Sequence, residues 1–224
     1  MSTTFACPSC GAELVFQSSI SLLATCSFCQ SMVVRRDMNL ENLGKNSAVV
    51  EDMSVVQLGT RGIYRKNAFQ VLGRVQMTWD GGYWNEWFVY FENGSSAWLA
   101  EAQGSLMMTF PDPRFKKFPR QEDLVLNGAL QMSNLHYYYI KDLREATVTS
   151  TMGEIPQLQK PGDERFLADL SSEEGGFATL DYDLAGRQDP VCYLGTWETI
   201  QSLQLTDLRE FEGWPIPSLR AHGS

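Results

Sequence analysis

Four of the five cysteines lie within the first 29 residues, in the stretch CPSCGAELVFQSSISLLATCSFC, as the pairs Cys7/Cys10 and Cys26/Cys29. Fifteen residues separate the two C-x-x-C pairs, the spacing of a four-thiolate zinc site. Each C-x-x-C turn aims two sulfurs at one point, and two such knuckles complete a tetrahedron around Zn²⁺. With every position filled by protein, no vacancy is left for water or substrate, so the metal is expected to be structural. Iron is the chemical alternative at four thiolates, but sulfur tetrahedra of this kind favour zinc. A thioredoxin-like redox role would need a C-x-x-C beside a βαβ pattern, which the sequence lacks. In CPSCG, Pro8 presets a turn and Gly11 permits a positive φ; CSFCQ has Gln30 where that glycine would stand.

Other candidate chemistry is sparse. The two histidines are His136, read as a packed or edge residue of a strand in SNLHYYYIK, and His222, near the end of the chain. There is no G-x-S-x-G elbow, no P-loop and no dinucleotide glycine fingerprint. Cys192, in DPVCYLG, has no cationic neighbour and reads as a small apolar core residue. Asp181 and Asp183 share one face of a strand, either as a cation-binding pair or as a solvated face. Trp84 and Trp87 in WDGGYWNEWFVYF, with Trp98 beyond, either pack in the core or form an aromatic surface for a protein partner. Glu86 stands between Trp84 and Trp87 and is expected to face away from both, as a solvated charge or an arginine's partner. The run PRFKKFPR interleaves Arg114, Lys116, Lys117 and Arg120 with Phe115 and Phe118. It reads as an inter-domain linker or as a surface for anionic lipid headgroups or nucleic acid.

These residues must be positioned by a mainly β fold. Residues 1–36 read as a zinc ribbon with strands in AELVFQSS, SLLAT and SMVVRR; a piece of about 35 residues needs its metal to fold, and zinc supplies about 10–16 kcal/mol. Residues 37–53 read as a lightly packed linker with a short helix carrying Leu40 and Leu43, capped by Gly44. A first β domain follows over 54–112, with Asn93-Gly94 marking a hairpin, then the basic Pro-rich linker 113–121 and a second β domain over 122–212. The stretch LREFEGW suggests a short helix before the tail, 213–224. The two β runs are weakly alike: Gly62 and Gly128 each open a strand, and Phe91 to Trp98 corresponds to Leu170 to Phe177. The expectation is one or two small barrel-like or sandwich β domains, related by tandem duplication.

With CPSCGAEL, CSFCQSMVVRRDMNLENLGK, QLGTRG, the WNEW at Trp84–Trp87 and the WLAEAQG at Trp98–Gly104, nearly the whole chain resembles a bacterial family, domain of unknown function 4178, whose members often carry such a ribbon. The resemblance implies zinc ligands at Cys7, Cys10, Cys26 and Cys29, carries over no catalytic residue, and suggests partners among membrane-remodelling proteins and polyamine enzymes. Acidic residues outnumber Lys and Arg by 27 to 18, a net charge of −9 that repels phosphate backbones and disfavours nucleic acid. No leader peptide and no run of about 20 apolar residues is apparent, so a cytoplasmic protein without a transmembrane segment is expected. The leading functional expectation is a non-enzymatic protein-interaction module in an envelope-stress or membrane-remodelling setting. Two alternatives stand beside it: a membrane-surface or nucleic-acid adaptor working through 114–120, and an enzyme or binding protein for a small cationic metabolite such as a polyamine.

Overall fold

Two-residue alternation of Val, Phe, Tyr and Trp with polar residues builds strands almost throughout the computed structural model, which describes residues 2–36, 39–46, 52–102 and 104–212. At the amino terminus, β1 (Thr3–Ala6) pairs with β2 (Glu13–Phe16), while β3 (Leu23–Thr25), β4 (Ser31–Arg36) and β5 (Asn39–Lys45) form an antiparallel sheet. The helix expected around Leu40 and Leu43 is instead β5. Backbone pairing with the buried β4 satisfies an edge that a helix would have left open. Gly44, at φ +105°, serves a bulge opposite Met32 and Val33 and not a helix cap.

The rest of the chain supplies β6 (Arg61–Tyr64), β7 (Asn67–Trp79), β8 (Gly82–Phe91), β9 (Ser96–Ala102), β10 (Ser105–Pro111), β11 (Ala129–Gln131), β12 (Tyr137–Ile155), β13 (Glu164–Ser171), β14 (Gly176–Asp183) and β15 (Val191–Glu198). Hydrogen bonding runs β7-β8-β9-β10-β15-β14-β13-β12 and returns from β12 to β7, a closed antiparallel barrel of eight strands. The runs 54–112 and 122–212, separated in the sequence reading, give four consecutive strands each to this one ring. The expected correspondence of Phe91–Trp98 with Leu170–Phe177 falls on topologically equivalent turns, β8–β9 and β13–β14. Both seams, β7–β12 and β10–β15, join a strand to its counterpart from the other half. The short β6 and β11 pair in the same way with the starts of β7 and β12.

Side chains fill three apolar regions of the barrel. Val75, Met77, Phe88, Ala146 and Val148 belong to a cluster that the ribbon's Leu23 and Met32 join. A second cluster lies where Val56, Leu203 and Leu205 meet Trp87, Leu99 and Met108. In the third, Phe115, Leu124 and Met132 meet Ala168, Leu170 and Leu180. The segment expected as a basic linker, 113–121, therefore contributes Phe115 and Phe118 to a core. The end of the linker expected over 37–53 is also held firmly: buried Asp52 pairs with Arg74 and accepts from Asn85 Nδ2 at 2.7 Å. No helix forms over Leu208–Glu212, where Arg209 N–H donates at long range to Val55 O. The rest of the expected tail, 213–224, lies outside the described residues, as does His222.

The ribbon is tied to the far end of β12, where Ala24 and Leu23 pair with Glu154 and Ile155. The buried Glu154 carboxylate accepts the N–H groups of Gln17 at 2.7 Å and Ser18 at 3.0 Å. Gly73 makes the neighbouring seam possible, since a Cβ there would collide with the Glu154 carbonyl. Gly73→Val is expected to lower stability by about 3 kcal/mol or more. Gly175→Ala, which faces open space but must hold a φ of +81°, should cost only about 1–2 kcal/mol; urea unfolding of the two variants tests that ranking.

Candidate functional site

The two cysteine knuckles have the same backbone. Cys7 N–H donates to Ala12 O and Gly11 N–H to Cys7 O; in parallel, Cys26 N–H donates to Ser31 O and Gln30 N–H to Cys26 O. Gln30 takes the left-handed φ of +59° that Gly11 takes at +76°, and its Nε2 donates to Ser27 O at 3.1 Å. The Sγ atoms of Cys7 and Cys29 are 3.7 Å apart and those of Cys10 and Cys26 are 3.8 Å apart, with all four sulfurs within 4.8 Å. A tetrahedron with Zn–S bonds of about 2.3 Å has S···S edges of about 3.8 Å, so the cluster fits that ion. The cation would also resolve an electrostatic conflict among the thiols. Hydrogen bonds from the Ser31 hydroxyl and N–H bring Cys29 down to about 6. Cys10, which the Ala12 N–H pulls down, is carried to about 12 by desolvation and by bonding to the other three thiols. A metal held there would staple the β1–β2 hairpin to the sheet that docks on β12.

A second site lies inside the barrel, where period-two alternation sends polar side chains inward from several strands. Trp84 and Glu86 come from β8, Trp98 from β9, Asp169 from β13, Asp181 from β14 and Tyr193 from β15. A cavity of about 70 Å³ lies between them. Two residues apart, Trp84 and Glu86 share a face, and the indole Nε1 donates to Glu86 Oε1 at 3.1 Å. The expectation that Glu86 faces away from both tryptophans is corrected: it faces away from Trp87 alone. Trp87 packs in the cluster with Leu99 and Met108 and donates from Nε1 to Glu101 Oε2 at 3.0 Å. Trp84, Trp87 and Trp98 are 8%, 2% and 5% exposed, so they form no aromatic surface for a partner.

The charges inside are unevenly matched. Asp181 receives a two-pronged contact from Arg165, at 2.8 and 2.7 Å. Asp183 accepts the N–H groups of Ala185, Arg187 and Gln188 and pairs with the Arg187 guanidinium. Both carboxylates are buried and both have an arginine, so the pair is neither a solvated face nor an unpaired cation trap. Arg144 pairs with Asp142 and lies against the rings of Trp79, at 4.6 Å, and Trp84, at 5.5 Å. Asp169 accepts from Thr179 Oγ1 at 2.7 Å. Glu86 has no ion pair of its own among the described residues. Burial, reinforced by the negative charge of Asp181, pushes its carboxyl up to about 7, and burial also raises Asp169. An adjoining cavity is lined by Trp79, Trp197, Ser105 and Lys141 and shares Met107, Arg144, Asp169 and Phe177 with the first.

The remaining sequence candidates separate in space. Arg114 pairs with Asp112, and Arg120 with Glu122 and Asp123. Phe115 and Phe118 turn inward, leaving exposed Lys116 and Lys117 without ion pairs among the described residues, so the basic–aromatic alternation is not a surface feature. His136 is exposed, 3.7 Å from Glu174. Cys192 is buried in the Leu170–Leu180 cluster, where desolvation pushes its thiol up to about 12. Arg165, Asp169, Thr179 and Tyr193 were not singled out from the sequence. For Arg165 and Asp169 the signal lies in RFLADLSS, where charged residues interrupt a mostly apolar strand; Thr179 and Tyr193 carry no such signal.

The family described as domain of unknown function (DUF4178) matches residues 57–200, more than half of the chain. The chain belongs to this family. The match begins just before β6 and ends just after β15, so the DUF4178 domain spans the barrel and leaves the cysteine ribbon outside it. No curated protein and no solved structure matches the chain. Among the described residues no helix is long and apolar enough to cross a membrane.

Elemental analysis of the purified protein is expected to find one zinc per chain. Cys26→Ser should lower that occupancy and the melting temperature together. The acidity of Glu86 gives a second expectation. Its folded value, near 7, exceeds the ordinary 4.5, so the folded state holds the proton more tightly. Stability from this group is therefore greatest below pH 4.5 and falls as the pH rises to about 7, by at most about 3 kcal/mol. Denaturation of Glu86→Gln across this range should show a shallower pH dependence than the parent.

Proposed function

We propose that the DUF4178 barrel is a non-catalytic receptor for an organic ammonium group, with the four-cysteine centre as its structural staple. The observation that carries this reading is Glu86: a half-buried carboxyl with no ion pair among the described residues, lining a cavity together with Trp84 and Trp98. Eight-stranded barrels have interiors just wide enough for side chains or for one small ligand. Arg165 pairs directly with Asp181 and Arg144 with Asp142, which leaves Glu86 and Asp169 as the cavity carboxyls without a direct ion pair among the described residues. Aromatic faces such as those of Trp84 and Trp98 attract cations, by about 2 kcal/mol or more when water is excluded. A slender amine suits the narrow space between Trp98, Met107 and Leu167.

Binding is favoured over catalysis because the pocket pairs no nucleophile with a base. Cys192 is protonated and belongs to another cluster, and four thiolates would leave their metal no open position. Of the three expectations from sequence, the cationic-metabolite reading gains most from this geometry. Spermidine is expected to change the tryptophan fluorescence of the purified protein saturably, more tightly at pH 8 than at pH 6, as Glu86 ionises. Glu86→Gln should weaken binding at pH 8 at least about tenfold, a loss of about 1.4 kcal/mol. Silence toward spermidine, putrescine and butylammonium at pH 8 would remove the reading.

A further inference from the structure

We propose that the ammonium group taken up by the barrel is the side chain of a lysine on a partner protein. This rests on the reading of the pocket as an ammonium receptor and names the source of the charge. Trp79 and Trp197 are 38% and 49% exposed, and they line an outer cavity that shares Asp169 with the inner one. A free amine seated at Glu86 would leave both rings in water. A polypeptide delivering its amine from outside would cover them, and tryptophan is the side chain that gains most from such cover.

Both rings are ordered in advance. Trp79 lies 4.6 Å from the Arg144 guanidinium and folds back over Gly81, where a Cβ would meet the indole. Trp197 packs edge-on against Phe177 at 5.2 Å. A rim fixed before binding loses little freedom when a partner arrives. The shape of the interior agrees with the occupant: a lysine is a compact charge on a flexible four-carbon stem, and its methylenes would run past Met107 and Phe177 before the ammonium reached Asp169 and Glu86. The charge of the whole chain agrees as well. At −9 it attracts basic surfaces, and the rim's own Lys141 is engaged with the Tyr139 ring.

The test uses the full-length protein and three probes: an array of lysine-centred heptapeptides with blocked ends, the same peptides acetylated at Nε, and butylammonium, the free analogue of the lysine stem. Some peptides are expected to bind at least tenfold more tightly than butylammonium and to lose that binding on acetylation. Trp197→Ala should cost those peptides about tenfold more affinity than it costs butylammonium. If butylammonium binds and no peptide exceeds it, or if acetylated peptides bind equally well, the partner proposal is wrong while the ammonium reading stands. If no probe binds, both fall.

Discussion

The backbone pairing of β7 with β12 is the constraint on which the rest of the molecule depends. Without it the eight strands, still joined at β10–β15, would form one open sheet; with it, every strand of the ring has two neighbours. Closure also fixes what is inside. Alternation that would face solvent in an open sheet becomes an interior lining, and residues such as Glu86, Asp169 and Arg165 are carried into a space with little water. Gly73 lets the two backbones meet closely enough, and the same stretch of β12 carries Glu154, which holds the ribbon. One strand of 19 residues thus reaches from the outer cavity to the cysteine sheet.

Within that enclosure the charged groups sort by whether a partner is in reach. Arg165 and Asp181 meet in a two-pronged geometry that offsets much of their desolvation. Glu86 has the Trp84 indole as its side-chain donor and Arg165 only at a distance, which does not offset the cost of desolvating a carboxylate beside Asp181. Its raised proton affinity follows from that desolvation and from the neighbouring Asp181 charge. The cysteine centre presents the same logic on a smaller scale, with four sulfurs converging where only a metal ion could balance them.

Local chemistry was legible in the sequence, and closure was not. The cysteine spacing located a cluster whose S···S distances fit zinc, because two knuckles need only a short loop to converge. Strand content followed from composition, and the hairpin at Asn93-Gly94 followed from its turn residues. The similarity of the two β runs was visible, but sequence alternation does not say whether two sheets pack or one ring closes; that depends on which edges find each other. Leu40 and Leu43 misled because a three-residue spacing suits a helix, whereas the open edge of β4 decided the outcome. Glu86 was misplaced because its two tryptophan neighbours lie on opposite faces of β8. Phe115 and Phe118 looked like part of a charged surface because their lysine neighbours are exposed while they are not.

The division of the ring between the halves of the chain has a consequence for how the protein is made. As it leaves the ribosome, the segment carrying β7 to β10 must wait with both flanks open until its distant counterparts are synthesised, and the ribbon must wait for the last residues of β12. Six of the eight ring pairings join neighbours in sequence, but the closing seams β7–β12 and β10–β15 and the docking of the ribbon on β12 do not, so completion of the barrel is expected to be slow and to occur largely after translation. During that interval the unfinished first half is the species most exposed to aggregation and to chaperone capture.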